Sequence, residues 1–159
     1  PMKGDPEIIS ALNDVLTAEL TAINQYFVHS KMCANWGYAR LAKRHRNESI
    51  EEMQHADRLI DRILYLDGIP NMQRLNPVRV GESVPEQFES DLALETEAVA
   101  RLNPAIALCV QKGDNGTRQL LDEILRDEEE AVDWTEAQLG MIEEMGKEKY
   151  LAEHIHADG

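Results

Sequence analysis

Four glutamates recur at matched intervals along this chain of 159 residues. Thirty-three residues separate Glu19 from Glu52, and the same interval separates Glu95 from Glu128. Each glutamate lies among apolar residues that recur every three or four positions, which is the pattern of a buried helix face. An ionised carboxylate in a core costs several kcal/mol unless it is paired or binds a metal. The sequence therefore predicts four helices that direct acidic side chains into one shared interior.

The apolar stripes divide the chain into four long helices and a short fifth one. Aromatic residues make up only 5% of the chain, while good helix formers dominate, so an all-α fold is favoured. Asp5 is expected to cap the first helix, and Ser83 with Glu86 to cap the third. Gly68 is expected to end the second helix, and Pro104 to kink or break the third. The expected helix bounds are residues 5–36, 38–67, 84–112, 115–145 and 147–156.

The connection between the second and third helices sets the topology. A helix of about 28 residues is roughly 40 Å long, and about 15 extended residues reach roughly 50 Å. Residues 68–83 contain glycine and proline and lack helical periodicity, so they are long enough to run the length of a bundle. The other turns are short. We predict one domain over residues 1–159: a ferritin-like four-helix bundle with one long crossover and a short fifth C-terminal helix.

The residues that follow Glu52 and Glu128 suggest a metal site with one ligand missing. His55 stands three residues after Glu52, whereas Ala131 stands three residues after Glu128. Two helices that carry Glu and two that carry Glu-x-x-His form the ligand set of a carboxylate-bridged dinuclear site in a helix bundle. Carboxylates with imidazole suit iron and manganese foremost, and zinc and cobalt also. The alternative is an acid cluster, protonated or bridged by water, that binds no metal.

In the metal interpretation, Glu52 and Glu128 bridge two ions. Glu19 and His55 complete the ligand set of the first ion, and Glu95 completes that of the second. Two irons held in this way would give electrons to dioxygen or peroxide, which is ferroxidase chemistry. The catalytic and metal-binding residues predicted from the pattern are therefore these five.

Ala131 is expected to weaken the binding of the second ion, which is the one nearest Glu95. The two residues after Glu128 point about 100° and 200° away from it, so neither faces the site. His45 shares the stripe of His55 but precedes it by ten residues, about 15 Å along the helix axis. Water is therefore expected to take the place of the missing histidine, and the second ion to bind weakly.

Charge and cysteine content narrow the class of protein. A net charge of −14 argues against nucleic acid or an anionic membrane as partners and suits attraction of cations. No leader segment and no apolar run long enough to span a membrane is recognised. Cys33 and Cys109 are too few for a disulfide scaffold and are expected to be buried reduced thiols. A soluble, cytoplasmic protein is predicted.

Five runs of the sequence, residues 3–5, 19–27, 48–58, 90–95 and 123–129, are specific to one family. Through them the chain resembles bacterioferritin, the haem-containing branch of the ferritins, over essentially its full length. The resemblance implies a hollow cage of 24 subunits, built from dimers, that stores ferric mineral. It also implies haem b at two-fold dimer interfaces, with one methionine from each subunit as ligand, and Met53 matches that methionine.

Three further positions follow from the resemblance. Tyr26 matches an aromatic residue beside the dinuclear centre of relatives and is a candidate electron donor, the alternative being an ordinary core tyrosine. Asn47 stands where some relatives carry a histidine that serves an inner-surface iron site, and Glu51 stands where they carry an acid. That inner site is therefore not expected to be complete here.

Three functions remain open on the sequence. The first is an iron-storage cage that oxidises Fe(II) at an asymmetric dinuclear centre, with haem and a reductase or ferredoxin assisting iron release. The second is a non-catalytic, haem-bearing subunit of a mixed cage, in which a second ferritin-type subunit oxidises the iron. The third is a di-iron oxidase without a cage, which Met53 and the amphipathic fifth segment disfavour.

Overall fold

The computed structural model describes residues 2–157 and consists of helices joined by loops. α1 packs against α2, and α3 against α4, while contacts of α1 with α3 and of α2 with α4 close the bundle. The predicted all-α bundle with one crossover and a short fifth helix is confirmed. The helices are α1 Pro6–Trp36, α2 Ala39–Tyr65, α3 Val84–Lys112, α4 Asn115–Met145 and α5 Lys147–Ala152.

The two predicted N-terminal caps are present. The side chain of Asp5 accepts a hydrogen bond from the backbone N–H of Glu7 at 2.8 Å. Ser83 Oγ accepts one from the N–H of Glu86 at 3.3 Å. The carboxylate of Glu86 returns to the N–H of Glu82, one residue before the cap, at 2.8 Å. Side-chain oxygens thus satisfy N–H groups that a helix start leaves without an intrahelical acceptor.

α2 ends at Tyr65, two residues earlier than predicted. Asp67, and not Gly68, adopts the left-handed conformation that commonly follows a helix end, with φ of 63°. Gly68 is needed for space instead, because a Cβ atom there would lie 2.7 Å from Cγ2 of Ile9. The close approach of this turn to α1 therefore explains the glycine.

The third helix is unbroken, and the fifth helix is shorter than expected. α3 continues through Pro104 without a break, and the Asn103 side chain donates to the helix backbone at 3.1 Å. α5 stops at Ala152 and not near residue 156. The ring Nδ1 of His154 lies 2.6 Å from the carbonyl oxygen of Tyr150, which the N–H of residue 154 would bond in a continuing helix. That N–H turns to the Leu151 carbonyl instead.

The crossover, residues 66–83, follows a polar stripe on α1. The stripe residues are spaced by four, so they share one helix face, and each binds a successive part of the crossover. This spacing was visible in the sequence, but its role was not predicted. The contacts join Asn71 to Asn13 at 2.8 Å, Arg74 to Thr17 at 2.9 Å, Asn76 to Thr21 at 2.9 Å, Arg79 to Gln25 at 3.1 Å and Gly81 to His29 at 3.0 Å.

Gly81 at the end of the crossover gives the first testable prediction. A Cβ atom there would overlap the backbone nitrogen of Gln87 and lie 2.6 Å from its Cα. Gly81→Ala is therefore expected to destabilise the fold by about 1–3 kcal/mol, measured by chemical unfolding of the metal-free protein. Gly140→Ala is the matched control: its Cβ meets no atom within 4 Å, and alanine favours a helix interior. Equal stability of the two variants would contradict the packing argument.

Both cysteines are buried and unpaired, as expected. Burial raises the pKa of the Cys33 thiol to about 12 and that of Cys109 to about 11. Neither thiol is thus an activated nucleophile. Within residues 2–157, every helix is too short or too polar to cross a bilayer.

Candidate metal centre

Four of the predicted ligands meet inside the bundle. Glu19 on α1, Glu52 and His55 on α2 and Glu128 on α4 are all buried, and their ligand atoms lie within 4.8 Å of one another. His55 Nδ1 is 3.2 Å from Glu128 Oε1, 3.5 Å from Glu19 Oε2 and 3.7 Å from Glu52 Oε2. Three carboxylates and one imidazole therefore surround a single point, which we call the central cluster.

His55 is oriented by an acid on the far side of its ring. Its Nε2 lies 2.8 Å from Oδ2 of Asp127, a partly exposed residue on α4. This contact favours the tautomer with the proton on Nε2 and leaves the Nδ1 lone pair facing the glutamates. The sequence prediction missed Asp127; the available signal was an acid directly before a predicted ligand. Glu51 joins Asp127 and His55 in a second, partly exposed group within 4.8 Å.

The atoms of the central cluster fit a cation. Glu19 Oε2, His55 Nδ1 and Glu128 Oε1 are buried and have no hydrogen-bond partner among residues 2–157. Buried polar atoms are nearly always paired, so three such atoms turned toward one point are unusual. Carboxylate oxygens with one imidazole nitrogen match the preferences of Fe(II), Mn(II) and Zn(II).

The metal-free cluster retains protons at neutral pH. Burial, followed by repulsion from Glu128, raises the pKa of Glu19 to about 7. Burial, followed by repulsion from Glu52, raises that of Glu128 to about 8. The pKa of Glu52 is raised well above its ordinary value by burial and by Glu19. For His55, burial lowers the pKa, but the three nearby glutamate carboxyls outweigh burial and raise it overall. A bound cation would take the place of these protons.

Glu95 lies beside the central cluster and outside the group of four. It is buried on α3, and its Oε1 accepts a hydrogen bond from the Tyr26 hydroxyl at 2.7 Å. Its Oε2 has no hydrogen-bond partner in the described part of the chain. Burial and the neighbouring Glu128 carboxyl raise the pKa of Glu95 well above its ordinary value. Burial and Glu95 likewise raise the pKa of Tyr26, so its hydroxyl stays protonated.

A cavity of about 10 Å³ lies beside Ala131, which is room for about one water molecule. His45 lines this cavity, so it lies nearer to Ala131 than its distance from His55 along α2 indicates. α4 runs antiparallel to α2, so the position three residues beyond Glu128 lies toward the N-terminus of α2. The cavity is lined by Tyr26, Arg44, His45, Glu48, Asp91, Ala131, Trp134 and Thr135.

A second cavity, of about 30 Å³, separates the central cluster from the crossover. Glu19, Glu52 and Glu128 line its inner part. Arg79 and Arg101 line it toward the outside, and Arg79 pairs with Glu97 at 2.9 Å. The acidic cluster is therefore screened by basic groups on the crossover side.

Met53 points away from the central cluster although it adjoins Glu52 in sequence. It is 57% exposed, and Ile50 and Leu64 on the same face of α2 are also exposed. An apolar face of this kind marks contact with another chain or with an apolar ligand. Met53 is thus placed on a surface, with its thioether accessible.

The fold agrees with comparisons to known proteins. A ferritin-like domain family matches residues 9–145, so the chain belongs to the ferritin family. Within it, the chain is 52% identical over 154 residues to the bacterioferritin of Mycobacterium leprae, covering 97% of each chain. It is 51% identical over 151 residues to the bacterioferritin of Streptomyces coelicolor, covering 95% of this chain and 90% of the relative. These full-length matches place it in the bacterioferritin branch.

The raised pKa values predict a pH-dependent stability for the metal-free protein. Unfolded glutamates titrate near pH 4.3, while Glu19 and Glu128 titrate at about 7 and 8 in the fold. The folded state therefore binds more protons between these values, and stability present below pH 4 is lost as pH rises through 8. His55 acts in the same direction. His45, whose pKa burial lowers to about 4, acts oppositely, but only between about pH 4 and 6.5.

The window from pH 6.5 to 8 therefore lies outside the range in which His45 opposes the effect of the glutamates. Over it, the free energy of unfolding of chelator-treated protein is expected to fall by about 2 kcal/mol per subunit. Glu128→Gln should reduce this slope, and saturating Zn(II) should remove it, because the metal replaces the protons in the central cluster. Chemical unfolding at fixed ionic strength measures all three. Stability that is flat or rising over this window in the metal-free protein would refute the prediction.

Proposed function

We propose that this protein is a cytoplasmic iron-storage bacterioferritin that oxidises Fe(II) within the bundle and stores ferric mineral in a cage of 24 subunits. The observation that carries the proposal is the central cluster, in which buried oxygen and nitrogen atoms face one point and have no hydrogen-bond partner among the residues that the structure describes. The net charge of −14 supports it further, because an acidic protein attracts ferrous ions.

Fe(II) is the substrate, and each residue of the site has a role in binding it. Glu19 and His55 hold the first ion, while Glu52 and Glu128 bridge it to a second ion beside Glu95. As iron enters, the carboxyls release the protons that burial had retained. Asp127 keeps the proton on the far side of His55, so that Nδ1 remains a ligand. Dioxygen or peroxide accepts the electrons of the ferrous ions, and Tyr26 is a candidate to supply a further one.

Ala131 makes this centre asymmetric. The first ion has Glu19, the two bridging carboxylates and the imidazole of His55, whose ligand atoms lie within 4.8 Å of one another. The second ion has Glu95 and the two bridging carboxylates, without an imidazole from α4. We therefore propose one firm and one weak iron position, with oxidation slower than in a centre that has both histidines.

Met53 is proposed as a haem ligand at a dimer interface. Its thioether is exposed on an apolar face of α2, so Met53 would be a residue that holds a haem b shared with a second copy of the chain. Haem supplies one-electron transfer when it is bound. Met53 would hold such a group at the dimer interface, where a reductase or ferredoxin could supply electrons for iron release.

Ala131 also favours a second candidate, a haem-bearing subunit that stores iron while a second ferritin-type subunit oxidises it. The purified protein, expressed alone, distinguishes the two. We expect a native mass near 24 subunits of 18.0 kDa, a haem Soret band, and Fe(II) oxidation measurable by stopped-flow absorbance. Oxidation no faster than in buffer would favour the mixed cage, and a monomer or dimer that oxidises iron would favour a cage-free oxidase.

A further inference from the structure

His45 is an unusual residue that the proposed iron chemistry does not use. It is 1% exposed on α2, and none of the described residues hydrogen-bonds to either ring nitrogen. Its ring packs against Tyr26 and Phe88, at centroid distances of 6.1 Å and 5.8 Å. A buried imidazole with two unsatisfied nitrogens requires an explanation.

Asp91 on α3 faces His45 and is unsatisfied on the same side. Its Oδ1 accepts a hydrogen bond from Gln25 at 2.9 Å and lies 3.0 Å from Nδ1 of His29. His29 accepts the N–H of Gly81 through its other nitrogen, so it donates to Asp91. Oδ2 of Asp91, in contrast, has no hydrogen-bond partner in residues 2–157.

The distance between the unpaired atoms of His45 and Asp91 fits two ligands of one metal ion. Nδ1 of His45 lies 3.6 Å from Oδ2 of Asp91, which is too far for a direct hydrogen bond. Two ligands at about 2.1 Å from one tetrahedral metal ion are about 3.4 Å apart. The pair is therefore spaced as two ligands of one ion would be.

The cavity beside Ala131 supplies the space and a third acid. His45, Asp91 and Glu48 all line it, and its volume of about 10 Å³ suits a single ion or water molecule. Arg44 also lines it, but its guanidinium pairs with Oε1 of Glu48 at 2.8 Å and stacks on Trp134 at 4.0 Å. That pairing offsets the positive charge of Arg44 and leaves Oε2 of Glu48 for another partner.

We propose that the cavity beside Ala131 is a divalent-cation site, separate from the central cluster, with His45 and Asp91 as ligands and Glu48 as the third. Imidazole with two carboxylates suits Zn(II), Co(II) and Fe(II). Burial lowers the pKa of His45 to about 4, so its ring is the neutral form that a metal requires. The site rests on these side chains alone and does not depend on iron oxidation.

Metal binding to the assembled, chelator-treated protein tests the proposal. Crystals soaked in Zn(II) are expected to show anomalous density between His45 and Asp91 as well as in the central cluster. A Co(II) titration followed by its visible absorption should give one ion fewer per subunit in His45→Gln. His55→Gln should lose the other ion and keep this one. His156→Gln, which removes an exposed imidazole, is the matched control and should bind as the wild type does.

Ala131→Leu is a second variant that leaves every proposed ligand in place. Its side chain fills the cavity, so it too should lose the ion at His45 and keep the ion in the central cluster. Circular dichroism and native mass confirm that each variant folds and assembles. An ordered water in place of anomalous density at His45, or unchanged Co(II) stoichiometry in both variants, would overturn the proposal. Loss of iron oxidation without loss of this ion would count against the proposed function alone.

Discussion

Replacing His55 by glutamine is expected to slow Fe(II) oxidation by about 100-fold or more. Loss of a group that only orients a ligand already lowers metal affinity or activity by about 10- to 100-fold, and His55 is placed to be a ligand itself. Its Nδ1 faces three carboxylates within 3.7 Å. Removing it leaves three buried acids around one point with no nitrogen to share the ion.

Two further variants show whether the effect comes from the cluster itself. Asp127→Asn keeps the imidazole but weakens the contact that orients it at 2.8 Å, so a loss of about 10- to 100-fold is expected. Glu129→Gln changes an exposed acid on the same helix and should leave the rate unchanged. Stopped-flow absorbance at one pH and one iron loading measures all three. A wild-type rate in His55→Gln would remove the central cluster from the oxidation reaction.

The convergence of the central cluster was predictable from the sequence for a simple reason. Helical periodicity places Glu19, Glu52 and Glu128 on core-facing stripes, and equal intervals place them at matching heights in a bundle of antiparallel pairs. His55 follows because a spacing of three keeps it on the face of Glu52. Periodicity and interval together therefore carried most of the information about this site.

The features that the sequence did not predict are contacts between side chains on different helices. The distance of His45 from His55 along α2 was correct but irrelevant, because the neighbour that matters is Ala131 on an antiparallel helix. Asp127 lies off the core stripe, and its role appears only when the ring of His55 reaches across to it. Spacing alone likewise could not show that the Tyr26 hydroxyl holds one oxygen of Glu95.

The crossover illustrates the same limit. Its length fixed the topology, but its path is set by side chains of α1 that recur every fourth residue, from Asn13 to His29. From the sequence of α1 alone, those polar residues would be assigned to a solvent-facing stripe. Their hydrogen bonds to the crossover exist only in the folded chain.

Replacing Ala131 by histidine is expected to accelerate Fe(II) oxidation by about 10- to 100-fold. A histidine there stands three residues after Glu128 on the same helix face and enters the cavity of about 10 Å³. It would give the second ion an imidazole beside Glu95 and the bridging carboxylates. Both ions would then be held firmly, and two electrons could leave in one encounter with the oxidant.

The cation proposed at His45 does not supply the imidazole that the second iron lacks. His45 precedes Glu52 by seven residues, which is about 10 Å along α2, so an ion there is not bridged by Glu52 and Glu128. Ala131→Leu fills similar volume without a nitrogen and is the matched control, with no acceleration expected. The double variant of Ala131→His with His45→Gln should remain as fast as Ala131→His, because the imidazole on α4 serves the second ion directly. If Ala131→His oxidises iron no faster than Ala131→Leu, the missing histidine does not limit the reaction, and the rate must be set at the central cluster or by the path that brings iron to it.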